Sequence, residues 1–293
     1  MSSKKVIGKV TSPISYYGGK GQLAPKILEY LPKHTTYVEV FGGGGALLFA
    51  KPPSPVEVYN DIDSGLVNFF RVLRDEEKFE RFYRKVVLTP YSREEQEFCK
   101  NTWNQVEDDV ERAYRWFITA RMGFSGIFGT SFTPSIDISH RNMSIQTSRW
   151  LSVIEYLPQF HQRIMRVQIE HLDFRQIFDV YDRETTCFYC DPPYLHSTRT
   201  ETNVYQHEMT TEDHKDLINI LLNVKGKVVL SGYRNEIYTI LEDNGWKRVD
   251  FPTVCWAMKR NDGTKDPRVD SIWLSPNCNT KRSIFEVTYD KLP

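Results

Sequence analysis

The sequence predicts an α/β protein, a mostly parallel sheet interrupted by a mainly helical insert. Three observations carry that prediction. The first 75 residues alternate between helical and extended patterns around a glycine-rich turn. Residues 76–160 become charged and helical in pattern. Strand and helix alternation then resumes near Val167 and runs to Leu274.

A helix is expected around Leu23–Leu31, ended by Pro32. Thr36–Phe41 has the β-branched and aromatic content of a strand and runs straight into Gly42–Gly45. Ala46–Ala50 starts a second helix, which Pro52, Pro53 and Pro55 break. Val56–Tyr59 is the next strand and ends in Asn60, Asp61, Ile62 and Asp63. A strand–helix–strand opening of this kind implies parallel pairing. In the insert, helical periodicity runs from Glu94 to Ile118 with Trp103, Tyr114 and Phe117 as core positions. A Gly-, Ser- and Thr-rich loop follows from Met122 to Ser148. Later strands are expected at Val167–Ile169, Thr186–Cys190, Val228–Ser231 and Ile272–Leu274. The expected organisation is one body made of residues 1–75 and 161–293, with 76–160 as the insert.

Composition narrows the function classes. Hydrophobic residues at 40% and charged residues at 26% fit a folded globular chain. No stretch approaches the ~18 apolar residues of a membrane span, and the first residues lack the apolar core of a secretory signal. The cytoplasm is the expected location. Lysine and arginine (38) balance aspartate and glutamate (38), so non-specific attraction to nucleic acid is not the dominant signal. A DNA-binding role then requires a local basic face. Cys187 and Cys190 form a C-x-x-C, but on a strand residues three apart point to opposite faces, and no second pair completes a metal site. Buried thiols are expected there.

Three constellations carry chemistry. The glycines of 42–45 let backbone approach a ligand closely, and no Gly-Lys-Ser/Thr follows to make a phosphate loop. Asp61, at the end of the next strand, is placed to bond ribose hydroxyls, so the pair points to a nucleoside-containing cofactor. Asp191-Pro192-Pro193-Tyr194 follows a strand directly. It joins an acceptor-only carboxylate, a rigid carbonyl and an aromatic face, which suits a planar ring bearing an amino group. Ser15-Tyr16-Tyr17-Gly18-Gly19-Lys20 sets an ammonium beside a flexible turn, a clamp for an anionic group.

Tyr-Tyr-Gly-Gly-Lys, Glu-Val-Phe-Gly-Gly-Gly-Gly, Asn-Asp-Ile-Asp, Leu-Asp-Phe and Asp-Pro-Pro-Tyr, in that order, resemble the Dam-type (D12 class, α-group) DNA adenine-N6 methyltransferases. The likeness covers about residues 13–75 and 165–235. It implies an S-adenosylmethionine-dependent enzyme with a Rossmann-like seven-stranded sheet and an inserted target-recognition domain. It implies that Tyr17 and Lys20 contact cofactor, Lys20 at the methionine carboxylate. Phe41, Gly42 and Gly44 would line the cofactor pocket, Asp61 would take the ribose, and Asp173 and Phe174 would meet the adenine ring. Asp191, Pro192, Pro193 and Tyr194 would form the catalytic site, Asp191 also lying against the cofactor. The target adenine would be flipped from double-stranded DNA and methylated directly, with no metal.

The chain departs from members that read GATC. Its run from Arg121 to Pro134 has Phe124 and Ser125 where those members carry Tyr and Asn, and Ile127–Ser131 offers no arginine. Arg121, Ser125, Arg141 and Arg149 are the expected DNA contacts, with the acidic stretches 75–80 and 107–111 turned away. A cognate restriction endonuclease is a candidate partner. Three other readings remain open from the residues: methylation of cytosine N4 or an RNA base, a NAD-dependent oxidoreductase, and a non-catalytic DNA-binding module.

Overall fold

The computed structural model describes residues 12–14, 18–139, 141–195, 207–259 and 265–278, with backbone alone for Ser125, 253–259 and 265–268. Seven strands form one sheet in the order β3-β2-β1-β4-β5-β7-β6. They are β1 (Thr36–Glu39), β2 (Val56–Asn60), β3 (Gln168–Glu170), β4 (Thr186–Cys190), β5 (Lys227–Gly232), β6 (Lys247–Lys259) and β7 (Lys265–Leu274). The first five in spatial order pair parallel, and β7 lies antiparallel between β5 and β6. The chain winds outward from β1 through β2 to β3, then returns to place β4 on the other side of β1. At such a reversal the two carboxyl ends open into a common crevice.

Each sheet face packs its own core. On β4, Cys187 and Tyr189 face one hydrophobic cluster while Phe188 and Cys190 face the other. Cys187 and Cys190 are therefore buried free thiols on opposite faces, as the spacing implied. Burial pushes both thiols well above their ordinary range, so neither is a nucleophile.

Beside α1 (Ala24–Leu28) and α2 (Ala46–Ala50), the first face is covered by α3 (Ser64–Arg74), α4 (Glu76–Val87), α5 (Arg93–Thr102), α6 (Asp109–Met122) and α7 (Ile145–Ile164). The expected run from Glu94 to Ile118 is thus two helices. Asp108 ends the interruption by accepting the Glu111 amide at the start of α6, a side-chain cap that competes with continued helix. Tyr114 and Phe117 are buried as expected, and Trp103 is half-buried just past α5. The insert merges with the sheet's own core: Phe69 of α3 stacks on Phe117 and Trp116 of α6. Helix α7 also runs across residue 160 without a break, because Trp150, Val153, Leu157, Phe160 and Ile164 keep one buried stripe through it. The acidic stretch that opens α6 meets the basic face of α4 through Lys78–Asp109 at 2.6 Å, Arg81–Asp108 at 3.0 Å and Lys85–Glu111.

A buried ion cluster ties α7 to the glycine-loop region. Helix α2 (Ala46–Ala50) is followed by Lys51, whose ammonium meets Glu57 of β2 at 2.5 Å. Arg163 of α7 reaches both Glu57 oxygens at 2.6 and 2.8 Å and the Leu48 carbonyl at 2.8 Å. Burial alone would raise the Glu57 pKa, but the bonds from Arg163 and the charge of Lys51 hold it below its ordinary value. Glu57→Gln keeps the shape and strands two buried cations. It should lower the unfolding free energy by about 3 kcal/mol, read by urea denaturation at pH 7. A change under ~1 kcal/mol would mean that water already reaches the cluster.

Candidate active site

The crevice between β1 and β4 is a cleft of about 1160 Å³, counting space open to solvent. Its walls are the Gly42–Gly44 turn, Asp61–Asp63, Gly18–Gly21, and Asp191–Pro193. The turn is built for close approach. A Cβ at Gly42 would stand 2.3 Å from the Tyr59 ring, and Gly43 and Gly45 both have positive φ. Three bonds pin it to the next strand: the Gly42 amide donates to the Asn60 carbonyl at 2.7 Å, the Gly43 amide donates to Asp61 Oδ2 at 2.8 Å, and the Tyr59 hydroxyl donates to the Gly43 carbonyl at 2.7 Å. Asp61 Oδ1 accepts the Asp63 amide at 2.9 Å. Burial pushes the Asp61 carboxyl up to about 6 against those two bonds.

Glu39 and Tyr189 also line the cleft, and the motif reading gave neither a role. Glu39 ends β1. Its Oε1 accepts the Tyr37 hydroxyl at 3.0 Å and the Leu48 amide at 2.7 Å. Its Oε2 and the Tyr189 hydroxyl are buried with no hydrogen-bond partner among the described residues. Burial pushes Glu39 up to about 7. An acid three residues before a glycine turn, on an apolar strand, was the available signal. Unmet acceptors, two buried carboxyls and a bare glycine backbone together fit a ligand that brings cationic and hydroxyl donors.

Asp191 lies directly beyond β4, and burial raises its pKa while Lys20 opposes that rise. Lys20 is itself 5% exposed and opens a 3-10 turn, Lys20–Gln22. Its ammonium stands 3.2 Å from Asp191 Oδ1 and 3.4 Å from the Gly18 carbonyl, and it contacts the Tyr194 hydroxyl. Lys20 thus sits at Asp191, where the motif had suggested a cofactor carboxylate. Pro192 and Pro193 face the cleft. Tyr194 is buried, its ring edge-on to Tyr233 at 4.6 Å and outside the cleft wall.

Other expected positions are placed less directly. Phe41 and Gly44 line the cleft. Phe174 packs behind Phe41 at 5.6 Å, outside the lining. Asp173 caps helix α8 (Phe174–Tyr181) and pairs with Arg175 at 3.2 Å, also outside it. Tyr17 lies outside the described residues, as does the Ser125 side chain. In the insert, Arg121 is deeply placed: burial lowers its pKa to about 10, and the charge of Arg149 adds to that. Arg149 is exposed on α7. Arg141 makes two bonds to Glu155, at 3.0 and 2.8 Å, so one side of its guanidinium is already engaged. Among the described residues no cluster of three His, Cys, Asp or Glu stands close enough to hold a metal ion. No helix among them is long and apolar enough to cross a membrane.

A family model described as D12 class N6 adenine-specific DNA methyltransferase matches residues 16–251. The chain is 26% identical over 245 residues to a DNA N-6-adenine-methyltransferase of Escherichia phage P1, covering 80% of this chain and 32% of that one. It spans about a third of the length of that relative. It is 28% identical over 243 residues to Type II methyltransferase M1.LlaDCHI of Lactococcus lactis subsp. cremoris, covering 77% and 81%. It is 22% identical over 216 residues to a DNA adenine methylase of Vibrio cholerae, covering 71% and 74%.

The raised Glu39 pKa has a signed consequence for stability. From its ordinary 4.5 to about 7, the folded protein keeps a proton there that the unfolded chain has lost. Stability contributed by this group therefore falls as pH rises through that window, by on the order of 3 kcal/mol. In Glu39→Gln that decline is absent. Urea denaturation at pH 5 and pH 8 should show the wild type losing more stability across the interval than the variant. Equal losses would remove Glu39 as a buried titrating group.

Proposed function

Since the chain belongs to the D12 class of N6 adenine-specific DNA methyltransferases, we propose that it methylates adenine N6 within a specific double-stranded DNA site. S-adenosylmethionine supplies the electrophilic methyl group. The observation that carries this reading is the meeting of a half-buried, Lys20-paired Asp191 with the acid-lined glycine turn in one cleft.

The chain's own groups divide the work. Gly42 and Gly44 allow backbone contact with the cofactor, Asp61 takes its ribose, and the unmet Glu39 oxygen accepts from its cationic amino acid end. Phe41, backed by Phe174, borders the adenine side, Asp173 and Tyr17 are cofactor contacts on their motifs alone, and Lys20 lines the cleft's other wall. The target base is flipped, because N6 is unreachable inside the stack. Asp191 and the Pro192 carbonyl accept hydrogen bonds from the amino group. Those bonds hold its lone pair out of conjugation with the ring and aim it at the methyl carbon. As positive charge grows on nitrogen, the Asp191 carboxylate stabilises it in a site that excludes water. Pro192 and Pro193 fix the backbone so that this acceptor geometry needs no rearrangement. Tyr194 braces Lys20 and supplies the aromatic edge of the catalytic motif.

Arg121, Arg149, Arg141 and Ser125 form the DNA-facing part of the insert in this reading. Arg141 reaches phosphate or base by giving up Glu155. The enzyme works in the cytoplasm, on the nucleoid or on phage DNA, and a restriction endonuclease of matching specificity is its proposed partner.

Asp191→Ala tests the assignment. Incubation of duplex DNA with methyl-labelled cofactor should show transfer reduced by roughly 10³-fold or more, with cofactor binding retained by calorimetry. Full activity in that variant would overturn the role of Asp191. Nucleoside analysis of the wild-type product should give N6-methyladenine; N4-methylcytosine would replace the substrate but keep the chemistry.

A further inference from the structure

Asp270 belongs to none of the sequence motifs, yet it stands at the reaction centre. β7 runs antiparallel to β5, and its Ser271 pairs with Gly232, the last residue of β5. Asp270 therefore lies one step past that end, level with the mouth of the cleft. Its face follows from alternation: Ile272 and Leu274 belong to the same core cluster as Cys187 and Tyr189. By the two-residue period, Asp191 and Asp270 emerge on that same face. Asp270 Oδ1 is 3.8 Å from the Lys20 ammonium and 3.4 Å from the Tyr194 hydroxyl.

This geometry answers a problem raised by the chemistry. Asp191 cannot serve the target amino group fully while an ammonium occupies one of its oxygens. The cation competes for the same lone pairs and cancels the charge that the transition state needs. Lys20 is too buried to be released into water without a counter-charge. A second carboxylate within reach solves this with a movement of about an ångström. The Tyr194 hydroxyl touches both the ammonium and Asp270, and so marks the direction of that movement.

We propose that Asp270 is a positioning residue that takes over the Lys20 ammonium when the target amino group engages Asp191. The inference rests on the role given to Asp191 above. Asp270 touches neither base nor cofactor in this scheme; it acts through Lys20. If its carboxylate served only to balance charge in the fold, its loss would weaken stability and binding without a selective effect on the transfer step.

The test compares wild type, Asp270→Asn, Asp270→Glu, Lys20→Met and the Lys20→Met/Asp270→Asn double variant. For each, single-turnover methyl transfer to duplex DNA is read beside KM for DNA and cofactor Kd. Asp270→Asn should slow the single-turnover step by roughly 10- to 100-fold while KM and Kd stay within about threefold. Asp270→Glu, which keeps the charge, should restore most of the rate. In the Lys20→Met background, Asp270→Asn should cost nothing further, because no ammonium remains to be held. A wild-type rate in Asp270→Asn, an Asp270→Glu no faster than Asp270→Asn, or full additivity with Lys20→Met would each overturn the proposal. Should Asp270→Asn fold poorly, the Asp270→Glu rate and its coupling to Lys20 decide the matter alone. A wild type that transfers no methyl, or an active Asp191→Ala, would instead overturn the underlying reading.

Discussion

The carboxyl ends of β1 and β4 are neighbours whose chains depart to opposite sides, and the site is a consequence of that one constraint. A parallel pair with diverging connections leaves a gap that no loop of either strand can fill. The strand ends also expose backbone amides and carbonyls that must find partners. Here the Gly42 amide donates to Asn60 at the end of β2, and the Gly43 amide to Asp61. The Asn60 side chain then reaches the carbonyls of Val40 and Leu172, joining the ends of β1, β2 and the segment after β3. The cleft is held open by a rim in which these backbone groups are already satisfied. Among the described residues, the Glu39 Oε2 and the Tyr189 hydroxyl at the cleft stay unmet.

Carboxyls give the site its sign. Glu39, Asp61 and Asp191 line the cleft, and Asp191 and Asp270 both lie within ion-pair distance of the Lys20 ammonium. Burial raises Glu39 to about 7 and Asp61 to about 6, so the free protein holds part of this charge as neutral acid near pH 6–7, and it raises Asp191 as well. A cationic ligand draws those protons off, because its charge favours the carboxylate form. The neutral net charge of the chain conceals this local excess. Neutrality of the whole says nothing of a cleft whose described lining holds more carboxyls than bases, nor of an insert where the charge of Arg149 reaches Arg121. What governs a DNA-modifying enzyme is the placement of each sign.

Much of this was legible in the sequence because it is local. A strand followed at once by glycines, and a strand followed at once by Asp-Pro-Pro-Tyr, put their residues at strand ends whatever the rest of the chain does. The parity argument for Cys187 and Cys190 is local in the same sense. Lys20, Asp270 and the insert depend instead on distant pairings. Lys20 reaches Asp191 from 171 positions away in sequence, and Asp270 gains its place only through the register of an antiparallel strand. No periodicity encodes that register. The insert reads as separate because its surface is charged, whereas its buried stripe continues the core of the sheet. The run from Glu94 to Ile118 hides a break for a related reason. Its helical pattern persists across a cap, and an aspartate at position 108 looks like any other surface acid until its side chain is seen to close the new helix.

That merged core bears on how recognition and chemistry are joined. Leu48 sits one layer below the cleft, and its two backbone groups face different parts of the protein. Its amide donates to Glu39, and its carbonyl accepts from Arg163 at the far end of α7. Arg163 is locked in turn to Glu57, whose carboxylate is fully enclosed. Sliding α7 against the sheet would expose a buried ion pair and an orphan carbonyl together, which costs several kcal/mol. Small displacements there are therefore expensive, which ties α7 to the wall of the cleft. A rigid union suits an enzyme that must hold a flipped base within near-attack distance of a methyl group. Misplacement by an ångström forfeits much of the rate. The segment between Met122 and Ser144 leans on the same core through Phe128 and Phe132 while exposing Phe124, Ile136 and Ile138, and in the proposed function this exposed side is what adapts to DNA.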